Sequence, residues 1–509
     1  MPPINVADFL TRQALATPDQ IAVIHEERIF SYAEFEALVS GLSLYFLGSG
    51  VQQGEIVGLH LEDPLLHLSA LWAMAKIGAV AVAVNAISAA ADAGKAVLSR
   101  TRATAIVTAV GGTDWKFAKT IQLCRDQLAI LAASSHGRLK SCNVLDQNLH
   151  FKTSSGTTAS PKLVAATHAG MIASIEREIA NVGYLKGERY MTPVSLIFDG
   201  PRRRYMACLA SGGTAVLPPM SGSLQATVDT INRHDVQHFS CVASQAHALA
   251  LSLPPQGPCF PRMRFLRLSS GPSDASLHRL LRERVSANVL ISYGCTELGP
   301  LTVAPPDLLL NRAQTVGRPM QGVTVQIVSA TGQQLPPDAE GVIRLRAEGM
   351  PQGYCDDPVA TAKSFRDGWF YPGDIGKMSK AGLLTHLGRA DEMMVMDGIN
   401  IHPAEIEAVL LSHPAVFEAV AFPVKHWVAN DVPFCAVSLT QGMTVTEQEL
   451  LQFARSAMGS HSPQRVAVLK AIPRSENGKV QRKILMQVVI AWMEAQQHQI
   501  SPGSQQTDS

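Results

Sequence analysis

The chain has almost no net charge, no paired cysteines, no long apolar run and no Walker-type phosphate loop, and each absence closes off a class of function. Its 43 Lys and Arg face 42 Asp and Glu, so no global field gathers nucleic acid or an anionic membrane, and any polyanion has to be held locally. The eight cysteines, at 124, 142, 208, 241, 259, 295, 355 and 435, include no CxxC pair and no Cys/His cluster at zinc-ligand spacing. They read as the reduced thiols of a cytosolic protein. The longest apolar stretch, residues 71–84, is fourteen residues long and interrupted by Lys76, well short of the roughly 20 needed to span a bilayer. Residues 1–20 lack the basic start and apolar stretch of a signal peptide. These features predict a cytoplasmic protein with no membrane span and no nucleic-acid partner. No fixed-period repeat is found.

What is present is enough apolar material, 46% of 509 residues, for two to four structural units at about 100 to 200 residues each. Helix-like and strand-like patterns alternate through the first 310 residues, as layered α/β units do. Residues 66–77 predict a largely buried helix, and residues 78–84 a buried strand of parallel type; similar strands recur at 215–217 and 288–291. Past Thr315 the strands shorten and turn signals multiply, which predicts an antiparallel sheet or small barrel with strands near 323–328 and 341–345. From about Asp391 a third region combines a helix over 403–412 with strands at 418–422 and 434–439. The Ser/Gln/Pro/Gly composition after about residue 496 is that of a disordered tail.

Five segments carry chemistry. The run Thr153-Ser154-Ser155-Gly156-Thr157-Thr158-Ala159-Ser160-Pro161-Lys162 places six hydroxyls around a glycine and ends on a cation. Small residues let backbone N–H groups approach an anion, hydroxyls add donors, and a lysine offsets phosphate charge. Tyr293-Gly294-Cys295-Thr296-Glu297-Leu298-Gly299 follows an apolar strand, with an aromatic face for a base, a hydroxyl for phosphate and a hard oxygen for magnesium. Asp374 sits in a turn between Gly373 and Gly376 and can accept bonds from ribose hydroxyls, or cap its own turn. Gly388-Arg389-Ala390-Asp391-Glu392 leads into the Gly398 segment, and Gly478-Lys479 places a lysine after a glycine turn near the C-terminus.

In this order and spacing, the five segments resemble the adenylate-forming superfamily of acyl- and aryl-CoA synthetases, stand-alone adenylation domains and luciferases, over nearly the whole chain. The resemblance implies an α/β fold: a large N-terminal core over residues 1–390, built of layered subdomains plus a small barrel-like part, then a small mobile α+β domain over 391–495 and a tail over 496–509. It implies activation of a carboxylic acid with ATP and Mg2+ to an acyl-adenylate, with release of pyrophosphate, then transfer to the thiol of CoA or of a carrier protein's phosphopantetheine. Carried over, Thr153, Ser154, Ser155, Gly156, Thr157, Thr158 and Lys162 hold the β- and γ-phosphates, Thr296 contacts phosphate, and Glu297 binds magnesium. Tyr293 stacks on adenine, and Asp374 and Arg389 fix the ribose. Lys479 bridges the acid's carboxylate and the α-phosphate, a role that suits a compact charge with rotatable donors. Asp391 is the hinge between the adenylation and thiol-transfer poses, and Gly398 lines the thiol tunnel. The acyl pocket is expected around Phe198, Asp199, Cys241 and Gly271.

The sequence departs from that pattern twice. Ala159 stands where the phosphate loop usually has glycine; at φ > 0 an alanine is strained by roughly 1 to 2 kcal/mol. Phe198-Asp199 stands where many CoA ligases carry an aromatic residue and histidine. Asp199 either receives an amino or hydroxyl group of the substrate or pairs with Arg202, Arg203 or Arg204. That arginine trio reads as a solvated charge run, or as a receiver for the phosphates of CoA or an acidic substrate. A carrier-protein acceptor, a homodimer and a non-catalytic nucleotide-binding protein with a decayed site stay open.

Overall fold

The computed structural model of the protein describes residues 2–84, 88–109, 115, 117, 119–134, 137–154, 162–271, 273–396, 399–426, 430–474 and 480–499. Among them, two largely parallel sheets carry most of the N-terminal part. One has nine strands in the order Arg318–Pro319, Gly299–Ala304, Val289–Cys295, Phe265–Leu268, His238–Cys241, Arg189–Met191, Thr214–Val216, Ile21–His25, Arg28–Ser31. The other has six, in the order Lys119–Leu123, Ala105–Ala109, Ile56–His60, Val80–Ala83, Asn148–Ser154, Lys162–Thr167. Both are parallel through their centres and antiparallel only towards their ends.

Helices pack between these sheets and join them into one core. The predicted buried helix is Pro64–Ile77, begun by the Asp63 side chain accepting from the Leu65 and Leu66 N–H groups and by Pro64 in the first turn, and ended by Gly78 at φ 71°. Every one of its residues is buried, so it is a core helix without a solvent face. Lys76 is accommodated because it meets the buried Glu36 carboxylate, which also accepts from Thr11, and donates to the Leu139 carbonyl. Packed against it, Tyr32–Gly48 opens on a capping box between Ser31 and Glu34.

The region expected as an antiparallel sheet or small barrel is a six-stranded antiparallel sheet including Val323–Val328, Glu340–Ala347, Asp374–Met378 and Leu384–Arg389. It joins the nine-stranded sheet at a tight seam. Gly317 there has φ 95°, and a Cβ on it would lie 1.9 Å from the Val303 carbonyl oxygen, so only glycine fits. The antiparallel sheet shares a core with Val164 from the phosphate-loop hairpin and with Leu298 and Leu301 beside the Tyr293 segment. Three units therefore converge on residues 293–299.

The small C-terminal domain packs helices Pro403–Leu411 and Glu447–Met458 on one face of a three-stranded sheet, Val416–His426, Asn430–Leu439 and Arg465–Leu469, and helix Arg482–Gln499 on the other. That last helix carries residues 496–499, which composition had assigned to the tail. The small domain meets the large one at the His402–Glu340 pair, 2.8 Å, and where Phe417 stacks on His247 with 4.4 Å between ring centroids. No helix among the described residues is long and apolar enough to cross a membrane.

Candidate active site

Residues 296–298 form the turn between the antiparallel strands Val289–Cys295 and Gly299–Ala304, whose register shifts between Tyr293 and Gly294. Gly299, at φ 79°, closes the turn; a Cβ there would meet Ser174 Oγ at 2.8 Å and the Arg203 guanidinium at 3.3 Å. Beneath the turn, Arg177 Nη2 donates to the Leu298 carbonyl at 2.8 Å. Thr296 and Glu297 are thus carried on a tip braced from below by buried arginines.

Glu297 is 9% exposed and accepts the Tyr354 hydroxyl on Oε1 at 2.8 Å; its Oε2 makes no hydrogen bond among the described residues. The Tyr354 ring lies 4.8 Å from Lys162 Nζ, the cation that ends the phosphate loop. Burial and the neighbouring Glu297 carboxylate push the Tyr354 pKa up, so the hydroxyl stays a donor. Tyr354 links two predicted residues, and sequence reasoning missed it because it lies in a connecting segment far from either. The free Glu297 oxygen fits magnesium, which takes one or two carboxylates and completes its shell with phosphate oxygens and water.

On the other side of the strand end, the Tyr293 hydroxyl donates to Asp374 Oδ2 at 2.6 Å. Asp374 opens its strand directly across from Arg389, whose Nη1 lies 3.4 Å from Oδ1 and also donates to the Pro372 carbonyl. His386 Nε2 approaches Oδ2 at 3.6 Å, with its ring 5.3 Å from that of Tyr293. Burial alone would raise the Asp374 pKa; His386, the Tyr293 hydroxyl and Arg389 outweigh it and hold the carboxyl below its usual range. This cluster brings Tyr293, Asp374 and Arg389 together as expected and adds His386, two strand positions from Gly388. A charged acceptor among fixed donors suits a diol such as ribose. Arg389 also reaches Asp391 at 3.1 Å, and Asp391 is exposed.

Of the phosphate run, Thr153 and Ser154 end the strand Asn148–Ser154, where Ser154 pairs with Lys162 across the hairpin. Ser155, Gly156, Thr157, Thr158 and Ala159 lie outside the described residues, as do Gly398 and Lys479.

The arginine trio needs a correction, and of the two readings of Asp199 the structure shows the pairing with Arg203, so this aspartate is not free to take a substrate ammonium. It begins the helix Asp199–Ala210 and is buried, accepting from Arg203 one turn on and from His150 Nε2 at 3.0 Å, with Lys152 Nζ at 3.7 Å. Burial opposes its charge, but Lys152, Arg203 and His150 hold its pKa well down. The trio Arg202, Arg203 and Arg204 is not a solvated charge run either: all three are buried, pointing to different sides of the helix. Arg203 takes Asp199, while Arg204 donates to Ser269 Oγ at 2.9 Å and to Ser240 Oγ at 3.4 Å. Nearby, Arg267 binds Glu178 and donates to Ser292 at 2.7 Å. Phe198 is half-buried at the helix start, and Cys241 is buried, its thiol pushed up to about 12. Gly271 faces open space, since a Cβ on it would meet nothing within 4 Å.

Residues 10–355 match the AMP-binding enzyme family, and residues 405–479 match the AMP-binding enzyme C-terminal domain. A probable CoA ligase of Humulus lupulus is 27% identical, with 96% of this chain and 97% of that protein covered. The 2-succinylbenzoate–CoA ligase of Geobacillus kaustophilus is 26% identical, covering 95% and 98%. In fold, the chain is similar to o-succinylbenzoate CoA synthetase of Bacillus subtilis, solved with its acyl-adenylate intermediate, at TM-score 0.82 and 24% identity over 93% of this chain and 97% of that one.

Proposed function

We propose, from the premise that this chain belongs to the AMP-binding enzyme family, that it is an acid–CoA ligase, joining an aryl or a short- or medium-chain acid to CoA through an acyl-adenylate. Full-length relatives that are CoA ligases support this reading. The observation that carries it is the pair of clusters flanking residues 293–299: Tyr293, Asp374 and Arg389 on one side, Glu297, Tyr354 and Lys162 on the other.

The reaction brings two anions together. A carboxylate oxygen of the acid attacks the α-phosphorus of ATP, and pyrophosphate leaves with the bond electrons, so the barrier is lowered by positioning and by neutralising charge. Asp374 would take the ribose hydroxyls, oriented by Arg389 and His386, with Tyr293 against the adenine. Lys162, with the hydroxyls and N–H groups of residues 153–158, would hold the β- and γ-phosphates, and Thr296 would add a donor. Magnesium, when bound, neutralises phosphate charge, and Glu297 would hold it, oriented through Tyr354. Lys479 would bridge carboxylate and α-phosphate in this step. Rotation about Asp391 would then withdraw it and bring the Gly398 segment to the thiol path. The CoA sulfur attacks the acyl carbon, AMP leaves, and the thiol proton passes to solvent.

The domain limits 1–390 and 391–495 and a cytoplasmic location belong to the same reading; the cysteines, none of them disulfide-bonded among the described residues, support the latter. Pyrophosphate release from ATP across aryl, fatty and amino acids tests the first step. Release that depends on one class of acid is expected, and no release with any acid would point to a non-catalytic nucleotide-binding protein.

A further inference from the structure

The strand Asn148–Ser154 buries a lysine immediately before the phosphate run. Side chains alternate along it, so Phe151 joins the apolar cluster of Val82 and Leu163, while His150 and Lys152 face the start of the helix Asp199–Ala210. Lys152 is 5% exposed; its Nζ lies 3.7 Å from Asp199 Oδ1 and makes no hydrogen bond among the described residues. The same carboxylate is already bonded to Arg203 and to His150. Burial holds the His150 pKa down at about 3, so that ring is neutral and Asp199 stands against two cations, Arg203 and Lys152. Burial, and after it Arg203 and Arg202, push the Lys152 pKa down against the pull of Asp199. An anion beside Nζ would complete its partners.

Its place sets Lys152 apart from the buried arginines of that helix. The Lys152 side chain keeps 7% of its surface open, whereas Arg202 is sealed in, with Nε and Nη1 unpartnered. Lys152 stands near the C-terminal end of a strand that runs parallel to Val80–Ala83, and ligands of parallel α/β sheets bind outside such ends. The run over 153–162 begins at the next residue. Close by is Cys295, whose thiol feels the charges of Glu297, Asp374 and Lys152 together. Cys295 separates Tyr293, on the nucleoside side, from Glu297, on the metal side. Arg203, the other cation on Asp199, reaches the end of the same turn, its guanidinium 3.3 Å from where a Cβ on Gly299 would stand. The Lys152 ammonium is therefore held between the cluster for the nucleoside and the cluster for the β- and γ-phosphates. The part of ATP between those two is the α-phosphate.

We infer that Lys152 is a further catalytic residue, whose ammonium, oriented by Asp199, donates to an α-phosphoryl oxygen of ATP and of the adenylate. This rests on the reading of the site above as one for ATP. The negative charge of the α-phosphoryl oxygens opposes attack by the acid's carboxylate, and a cation fixed beside them before the reaction starts lowers that barrier. Asp199 acts through Lys152 as a positioning residue.

The test is the affinity of the wild type, Lys152→Met and Lys152→Gln for AMP and for adenosine, which differ only by the phosphate, measured by calorimetry. The wild type should bind AMP more tightly than adenosine. Lys152→Met should weaken AMP about 30-fold, as removal of one partner of a buried charge-assisted bond does, and leave adenosine unchanged. Lys152→Gln, which keeps a polar tip, should lose less and serves if Lys152→Met does not fold. In pyrophosphate release the loss should fall on kcat and the KM of ATP, with the KM of the acid unchanged. Variants that bind AMP as the wild type does overturn the inference, leave the nucleotide site intact and make Lys152 a structural partner of Asp199. Equal losses for AMP and adenosine overturn it as well, because the damage is then not at the phosphate. A wild type that binds neither compound ends both readings.

Discussion

A single hydroxyl connects the two halves of the phosphate side. Tyr354 donates to Glu297 and lies under Lys162, so its removal frees the carboxylate to rotate while keeping the ring that faces the lysine. Tyr354→Phe should lower kcat/KM about tenfold, the scale of a lost outer-shell hydrogen bond to a metal ligand, and should raise the magnesium concentration needed for half-maximal rate. A magnesium titration of both enzymes checks this; superimposable curves would remove Tyr354 from the site. At this scale the sequence was informative where chemistry is local. Tyr293, Glu297, Asp374 and Arg389 stand out in the sequence in turns of unusual composition, and the structure gathers Tyr293, Asp374 and Arg389 into one cluster with Glu297 in the other. Tyr354 and His386 do not stand out, since an isolated Tyr or His carries no spacing signal and gains its role only through folding.

Among the elements, legibility followed the apolar pattern. The helix Pro64–Ile77 was predicted from its apolar positions, with its start extended two residues by the Asp63 cap and Pro64. The helix Asp199–Ala210 was not, because three adjacent arginines after Gly200-Pro201 read as a solvated charge run; partners from distant strands and strand ends, His150 and Lys152 on Asp199 and Ser240 and Ser269 on Arg204, override that local signal. Lys76 illustrates the same override inside a readable helix. Burial raises the pKa of Glu36 and the Lys76 charge only partly offsets it, so the pair is retained at a cost. Lys76→Ala should lose about 3 to 5 kcal/mol by stranding the carboxylate, whereas Lys76→Met combined with Glu36→Leu should lose far less. Urea unfolding of the three proteins measures this, and equal losses in the single and double variants would contradict it.

Over the whole molecule, the order of layers was readable from alternating helix and strand patterns and from the change of texture past Thr315, while the seam at Gly317 and the buried polar interior were not. That interior sets the acid response. Burial keeps His67, His168 and His278 neutral down to about 4 and His150 to about 3, Arg202 adding to the effect at His150. The unfolded chain protonates these rings below about 6.5, so it binds more protons than the folded state and stability falls as pH drops from 6.5 towards 4, by up to about 1.4 kcal/mol per unit for each ring. Glu178, held near 2 because Arg267 outweighs its burial, adds stability that is lost only as pH falls from about 4.5 through 2. Urea midpoints should be clearly lower at pH 5 than at pH 7; an unchanged midpoint would mean that these rings are not buried neutral.

The central claim is that the chain couples an acid to CoA by way of an adenylate. Pyrophosphate and thioester quantified together, with ATP, magnesium, CoA and the best acid of the panel, test it most directly. One thioester per pyrophosphate, with pyrophosphate release but no thioester when CoA is omitted, is the predicted result. Acid-dependent pyrophosphate with no thioester in the presence of CoA would contradict the ligase and leave a carrier-protein thiol as the acceptor.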